Sequence, residues 1–214
     1  MFIYAKEKAL SSEICQSFIS SFENSKHLQS KGKVSFKENN KSFSEPIDDI
    51  KSSTEISFSP EFLTEPELSK TWEYSLNPLI KILNKGHENY RSRYFYPSDS
   101  VIPLEISPSF NLQRYYPNEG YKALHCENAG YHPWRCLAWM VYLNDITDNG
   151  ETEFFHQKHF EVPKEGKLVI WPADWTYIHR GITSPSQTKY ILTGWYEFVG
   201  VDKKIHYFTE KHNI

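Results

Sequence analysis

The chain has 214 residues, with 24 Lys and Arg against 27 Asp and Glu, for a formal net charge of −3. That balance carries no electrostatic footprint for nucleic acid or an anionic membrane, and no apolar run approaches the ~20 residues of a membrane helix, so neither partner is expected. A hydrophobic fraction of 39% and an aromatic fraction of 16% supply the core of one domain over 1–214 and suit β-structure, where aromatic rings fit the pleated surface.

Cys15, Cys126 and Cys136 form no disulfide framework, and the absence of any C-x-x-C argues against a structural zinc site. Together with a start that lacks a basic segment followed by a long apolar one, this makes a cytoplasmic location the expectation.

In chain order, Phe2-Ile3-Tyr4-Ala5 reads as a short edge strand. Ser11 or Ser12 caps a helix with Glu13 in its first turn and an apolar stripe of Ile14, Phe18, Ile19 and Phe22. From about 25 to 59 the composition shifts to Lys, Ser, Asn and Glu, expected as loop with short strands at 33–36 and 55–58, and serving as a surface loop or as a lid over 31–59. A second helical stretch covers about 65–90, with Leu68, Trp72 and Leu76 on one face and a restart at Asn77-Pro78. Residues 1–100 thus read as a helical support.

From about 104 the pattern turns to short strands at 110–116, 121–127, 137–143, 152–155, 160–162, 167–171, 176–179 and 190–198. Turn signals such as Pro117-Asn118-Glu119-Gly120 and Asp148-Asn149-Gly150 separate them. Many short, regularly punctuated strands predict an antiparallel sandwich or barrel. The fold class is therefore mainly β with helices (α+β): a double-stranded β-helix, or cupin-like jelly roll, over 101–199. The N-terminal helices pack on its major sheet, and 200–214 forms a C-terminal extension.

His125, Glu127 and His179 stand out within that region. On a strand, positions i and i+2 share a face, so His125 and Glu127 can grip one ion while Cys126 points away. Two imidazoles and a carboxylate make up a facial triad, which suits non-heme Fe(II) and leaves one side open. His156 and His159 are rival donors, expected to be structural or exposed because their spacing of three splits them between strand faces.

The ordered motifs extend well beyond the triad. Arg114-Tyr115-Tyr116-Pro117-Asn118-Glu119-Gly120-Tyr121 precedes His125-Cys126-Glu127, and Arg135 precedes the apolar run 137–144. Asn149-Gly150-Glu151-Thr152-Glu153-Phe154, then 162–171, His179, Lys189 and Trp195 follow. This series resembles the prolyl 4-hydroxylase-like branch of the Fe(II)/2-oxoglutarate-dependent dioxygenases. Two positions depart from the family pattern: Glu127 stands where aspartate is usual, and Asn149 replaces the first glycine of the hairpin.

The resemblance implies Fe(2+), 2-oxoglutarate and O2 as cofactor and co-substrates, and admits ascorbate as reductant. It implies hydroxylation of an unactivated C–H bond with release of succinate and CO2. The metal ligands would be His125, Glu127 and His179; Lys189, Tyr116 and Thr193 would hold 2-oxoglutarate; and Trp195, Tyr142 and Arg180 are further pocket candidates. A prolyl or other peptidyl residue of a peptide or protein is the expected substrate, with a free amino acid or small metabolite as the alternative. A non-catalytic cupin-like binding protein would have no use for a dicarboxylate anchor such as Lys189. A zinc hydrolase would need a general base, and no H-E-x-x-H is present.

Overall fold

A computed structural model describes residues 1–38, 41–94, 101–128 and 132–199, so the expected extension at 200–214 lies outside the described residues. Strand β1 (Tyr4–Lys6) leads to helix α1 (Ser12–Asn24), whose first turn is capped by Ser11 Oγ accepting from the Ile14 N–H. Then come β2 (Ser30–Lys31), the hairpin of β3 (Val34–Glu38) and β4 (Lys41–Glu45), β5 (Lys51–Ser52) and β6 (Thr54–Phe58). Helices α2 (Pro60–Thr64) and α3 (Pro66–Tyr94) follow. The C-terminal part comprises β7 (Leu104–Ile106), β8 (Phe110–Tyr115), β9 (Gly120–Tyr121), β10 (Arg135–Tyr142), β11 (Thr152–Phe154), β12 (His159–Glu161), β13 (Leu168–Pro172), β14 (His179–Gly181) and β15 (Lys189–Phe198).

Two antiparallel sheets form the jelly roll. The major one runs β1-β13-β10-β15-β8-β6-β2, with β7 added along β15; the minor one runs β12-β11-β14. The first hundred residues therefore give more than helical support, because β1, β2 and β6 are strands of the major sheet. Nor does α3 restart at Pro78; it runs on for 29 residues. An interior proline costs roughly 3 kcal/mol, and burial of Trp72, Leu79 and Leu83 against the sheet offsets it. Among the described residues no helix is long and apolar enough to cross a membrane.

Strand alternation divides the side chains into two layers. Leu112, Leu137, Trp139, Val141, Leu168, Ile170, Leu192 and Tyr196 face Phe18, Phe22, Trp72 and Leu83 of the helices. The intervening residues Tyr115, Ala138, Met140, Val169, Trp171 and Ile191 face inward toward Phe154 and Tyr177. The inner layer is only partly filled, and the site opens between the two sheets.

Candidate functional site

His125 and Glu127 do not lie on the regular strand expected at 121–127. The ladder there ends at Tyr121, and His125 makes a single antiparallel bridge to His179. Each of the two residues donates its backbone N–H to the other's carbonyl, at 3.0 and 2.9 Å. Beyond the bridge, the N–H groups of Glu127 and Asn128 both donate to the Ala173 carbonyl, at 2.9 and 2.8 Å. Four backbone bonds thus set the histidine rings side by side, with centroids 4.4 Å apart. Residues 176–177, expected to open a strand at 176–179, lie in a 3-10 turn over 175–177 capped by Asp174, and His179 opens β14 after Ile178.

One donor atom from each of His125, Glu127 and His179 lies within 4.8 Å of the others. His125 Nδ1 is 2.9 Å from the Ala123 carbonyl and His179 Nδ1 is 3.0 Å from that of Tyr177. A carbonyl oxygen only accepts, so in a neutral ring Nδ1 carries the proton and Nε2 presents a lone pair. Those two Nε2 atoms stand 3.5 and 3.4 Å from Glu127 Oε1. Burial, and next the neighbouring His179, hold His125 below its ordinary pKa, which keeps that ring neutral. Burial acts to raise the Glu127 pKa, but hydrogen bonds and charge from the two imidazoles, whenever they carry a proton on Nε2, outweigh it and hold the carboxyl well below its usual range. Two lone pairs and a carboxylate converging on one point repel unless a cation lies among them. The imidazole and carboxylate donors present fit Fe(II).

Outside this cluster, the Trp195 indole N–H donates to Glu127 Oε2 at 2.8 Å. Arg135 lays its guanidinium over the Trp195 ring, 3.2 Å from the centroid, with Nη1 3.8 Å from Glu127 Oε2. Tyr121 stacks on His125 with centroids 3.6 Å apart. Cys126, expected to face away, also borders the cavity. Of the rival histidines, His156 is exposed and His159 is paired with Glu161 at 2.7 Å.

The cluster opens into a cavity of about 500 Å3. Lys189, Thr193 and Trp195 all line it, as their common parity on β15 requires. Lys189 is 4% exposed, and its ammonium donates to the Gly150 carbonyl at 2.8 Å, with the Ile182 carbonyl at 3.5 Å. Burial lowers its pKa to about 8, against a smaller upward pull from Glu151.

Three pocket candidates fall elsewhere. Tyr116 is half-exposed under the Arg114 guanidinium; it follows the end of β8 and continues the helix-facing parity of Leu112 and Arg114. The tyrosine in the cavity is Tyr115, paired in register with Lys189, whose Nζ lies 5.3 Å from the Tyr115 ring centroid. Tyr142 is fully buried in the inner core, its hydroxyl bound to Thr152 Oγ1 at 2.6 Å. Arg180 alternates outward from His179 and donates to Glu153 Oε2 at 2.6 Å. The parity of Asn111, Gln113 and Tyr115 was available in the sequence as a signal for Tyr115.

The composition of residues 31–59 gave no such signal for a buried pair in the cavity wall. Lys51 and Glu55 are bridged at 2.9 Å with side chains 7% and 8% exposed. Glu55 also accepts from Gln113 Nε2 at 2.6 Å, and Gln113 accepts from the Tyr115 hydroxyl at 3.0 Å.

The family model of the 2OG-Fe(II) oxygenase superfamily matches residues 110–197. No match was found among curated protein sequences. Solved structures share the fold at low identity. A viral collagen prolyl hydroxylase from Paramecium Bursaria Chlorella virus-1, in its 2OG complex, is 18% identical with a TM-score of 0.62, over 93% of this chain and 97% of that one. A Pseudomonas putida prolyl-4-hydroxylase is 16% identical with a TM-score of 0.61, over 92% and 93%. A Trichoplax adhaerens prolyl hydroxylase, in complex with a hypoxia inducible factor oxygen degradation domain peptide fragment, is 16% identical with a TM-score of 0.63, over 97% and 86%. The expected jelly roll and the resemblance to the prolyl 4-hydroxylase-like branch are both met. Residues 110–197, which carry the His–Glu–His cluster and Lys189, are thus the part of the chain that matches the model of the 2OG-Fe(II) oxygenase superfamily, a family that uses Fe(II), 2-oxoglutarate and O2.

Proposed function

We propose that this chain is an Fe(II)- and 2-oxoglutarate-dependent dioxygenase that hydroxylates a prolyl or other peptidyl residue. The observation that carries the proposal is the shared cavity: three donors with converging lone pairs and a buried lysine, all facing one space. His125 Nε2, His179 Nε2 and a Glu127 oxygen would hold the iron. Bound Fe(II) would supply the oxygen activation that couples oxidative decarboxylation of 2-oxoglutarate to insertion of one oxygen atom into a C–H bond.

The chain's own residues perform the binding and shielding. Lys189 holds the distal carboxylate of 2-oxoglutarate: among the described residues its ammonium bonds only carbonyl oxygens, so an incoming carboxylate supplies the counter-charge a buried cation needs. Thr193 and Tyr115 stand on the same inner face and complete that end of the pocket. Ala138, Met140, Trp171 and Ile191 are the walls that keep water from the reacting end. Lys31, Lys33, Val34 and Ser44 border the cavity from the segment expected as loop or lid, and we assign that segment as the substrate-side wall.

The peptidyl substrate is supported by the three similar structures, all prolyl hydroxylases, one of them with a bound peptide fragment. The test is succinate release with Fe(II), 2-oxoglutarate and panels of proline-containing peptides and free amino acids, read with mass spectrometry of the products. A peptide heavier by one oxygen atom is the expected result. If only free amino acids gain oxygen, the reaction survives and the substrate class changes. Iron bound with no 2-oxoglutarate consumed makes a binding protein the better description.

A further inference from the structure

Glu127 differs from the family's usual aspartate by one methylene, and that difference has a physical consequence. An extra side-chain torsion lets a carboxylate rotate, exchange its two oxygens or swing away, and each motion weakens a site that needs one oxygen at a set point. In this chain the two oxygens of Glu127 have separate partners. Oε1 faces both imidazoles, at 3.5 and 3.4 Å. Oε2 accepts the Trp195 indole N–H at 2.8 Å. The indole is itself held, because it lies in the β15 ladder opposite Ala138 and beneath the Arg135 guanidinium. The partly buried Trp195 N–H takes as its acceptor the one carboxylate in the donor cluster.

We propose that Trp195 is a positioning residue: its N–H locks Glu127 Oε2, so that Oε1 alone is presented to the metal and the longer carboxylate acts as a single-oxygen ligand. Arg135 supports this from behind by fixing the plane of the ring. The assignment rests on His125, Glu127 and His179 being the metal site. Outer partners of metal ligands commonly govern affinity by about 10–100-fold.

The experiment uses Mn(II) alone as probe, followed by the loss of its free-ion EPR signal, and needs no turnover. Trp195→Phe removes the N–H and keeps an aromatic ring. The expected result is a Kd for Mn(II) raised about 10–100-fold, with the thermal unfolding midpoint of the metal-free protein little changed. Where Phe loosens the packing, benzothienylalanine at position 195, an isostere with sulfur in place of N–H, gives the same readout with the ring outline preserved. A raised Kd with the isostere supports the proposal. Unchanged Mn(II) affinity in the isostere-bearing protein overturns it and leaves the metal site standing. Failure of the unaltered protein to bind Mn(II) overturns both.

Discussion

Lys189→Met is the most incisive test of the co-substrate pocket. The ammonium is 4% exposed and its pKa is pulled from 10.5 to about 8 by burial. A dicarboxylate would meet a charge with little hydration to lose, and a charge-assisted hydrogen bond of that kind contributes about 1.5–3 kcal/mol. Removing it should weaken 2-oxoglutarate binding roughly ten- to a hundredfold. The same burial predicts a pH profile for the unaltered protein. Binding needs the protonated lysine, which is mostly present at pH 7 and mostly lost by pH 9, so the Kd should rise about tenfold between them. Metal-free stability moves the other way. The fold disfavours the ammonium, so stability is lowest where Lys189 is charged and rises from about pH 8 to 10.5. Lys189→Met abolishes that rise. At neutral pH the variant is relieved of about 3 kcal/mol of charge burial but leaves the Gly150 carbonyl without its donor, a loss of about 1–3 kcal/mol. Calorimetric titration of 2-oxoglutarate into Mn(II)-loaded protein at pH 7 and 9, with urea unfolding of both proteins, measures all of this. Equal affinity in the variant together with a flat pH profile would refute the reasoning.

Other outcomes follow from the same geometry. Tyr115→Phe should raise the 2-oxoglutarate KM several-fold while Tyr116→Phe leaves it unchanged, since only Tyr115 faces Lys189; a reversed order in steady-state titrations would restore Tyr116 to the pocket. Glu55→Ala strands the buried Lys51 ammonium and should lower unfolding free energy by about 3–5 kcal/mol, whereas replacing both partners by apolar residues costs much less; equal losses in urea unfolding would show that the pair is not a buried unit. His179→Ala should eliminate Mn(II) binding and succinate release while circular dichroism stays native; persistence of tight binding would place the metal elsewhere.

The candidate metal cluster was legible in the sequence because its donors are chemically rare and ordered among other motifs, so His125, Glu127 and His179 could be named without a structure. Their expected mode of assembly was wrong in detail: a pair of backbone bonds between the histidines and the Ala173 carbonyl hold the cluster, in place of a continuous strand. A motif records which atoms are present, and local geometry depends on partners far along the chain.

Strand periodicity similarly determined the jelly roll, the inward set on β15 and the stripe of α1, because alternation and amphipathic spacing are written residue by residue. What only the tertiary structure decided were matters of parity at strand ends and of long-range pairing. Tyr115 rather than Tyr116 enters the cavity because Tyr115 is the residue that registers with Lys189, 74 positions away. Residues 54–58 join the major sheet as its penultimate strand because β8 pairs with them along their whole length. The Trp195 N–H finds Glu127 only once β15 and the segment before β10 are brought together, 68 positions apart. Such contacts join atoms whose separation along the chain says nothing of their distance in space, so they emerge only when burial and ladder pairing settle one arrangement for the whole chain.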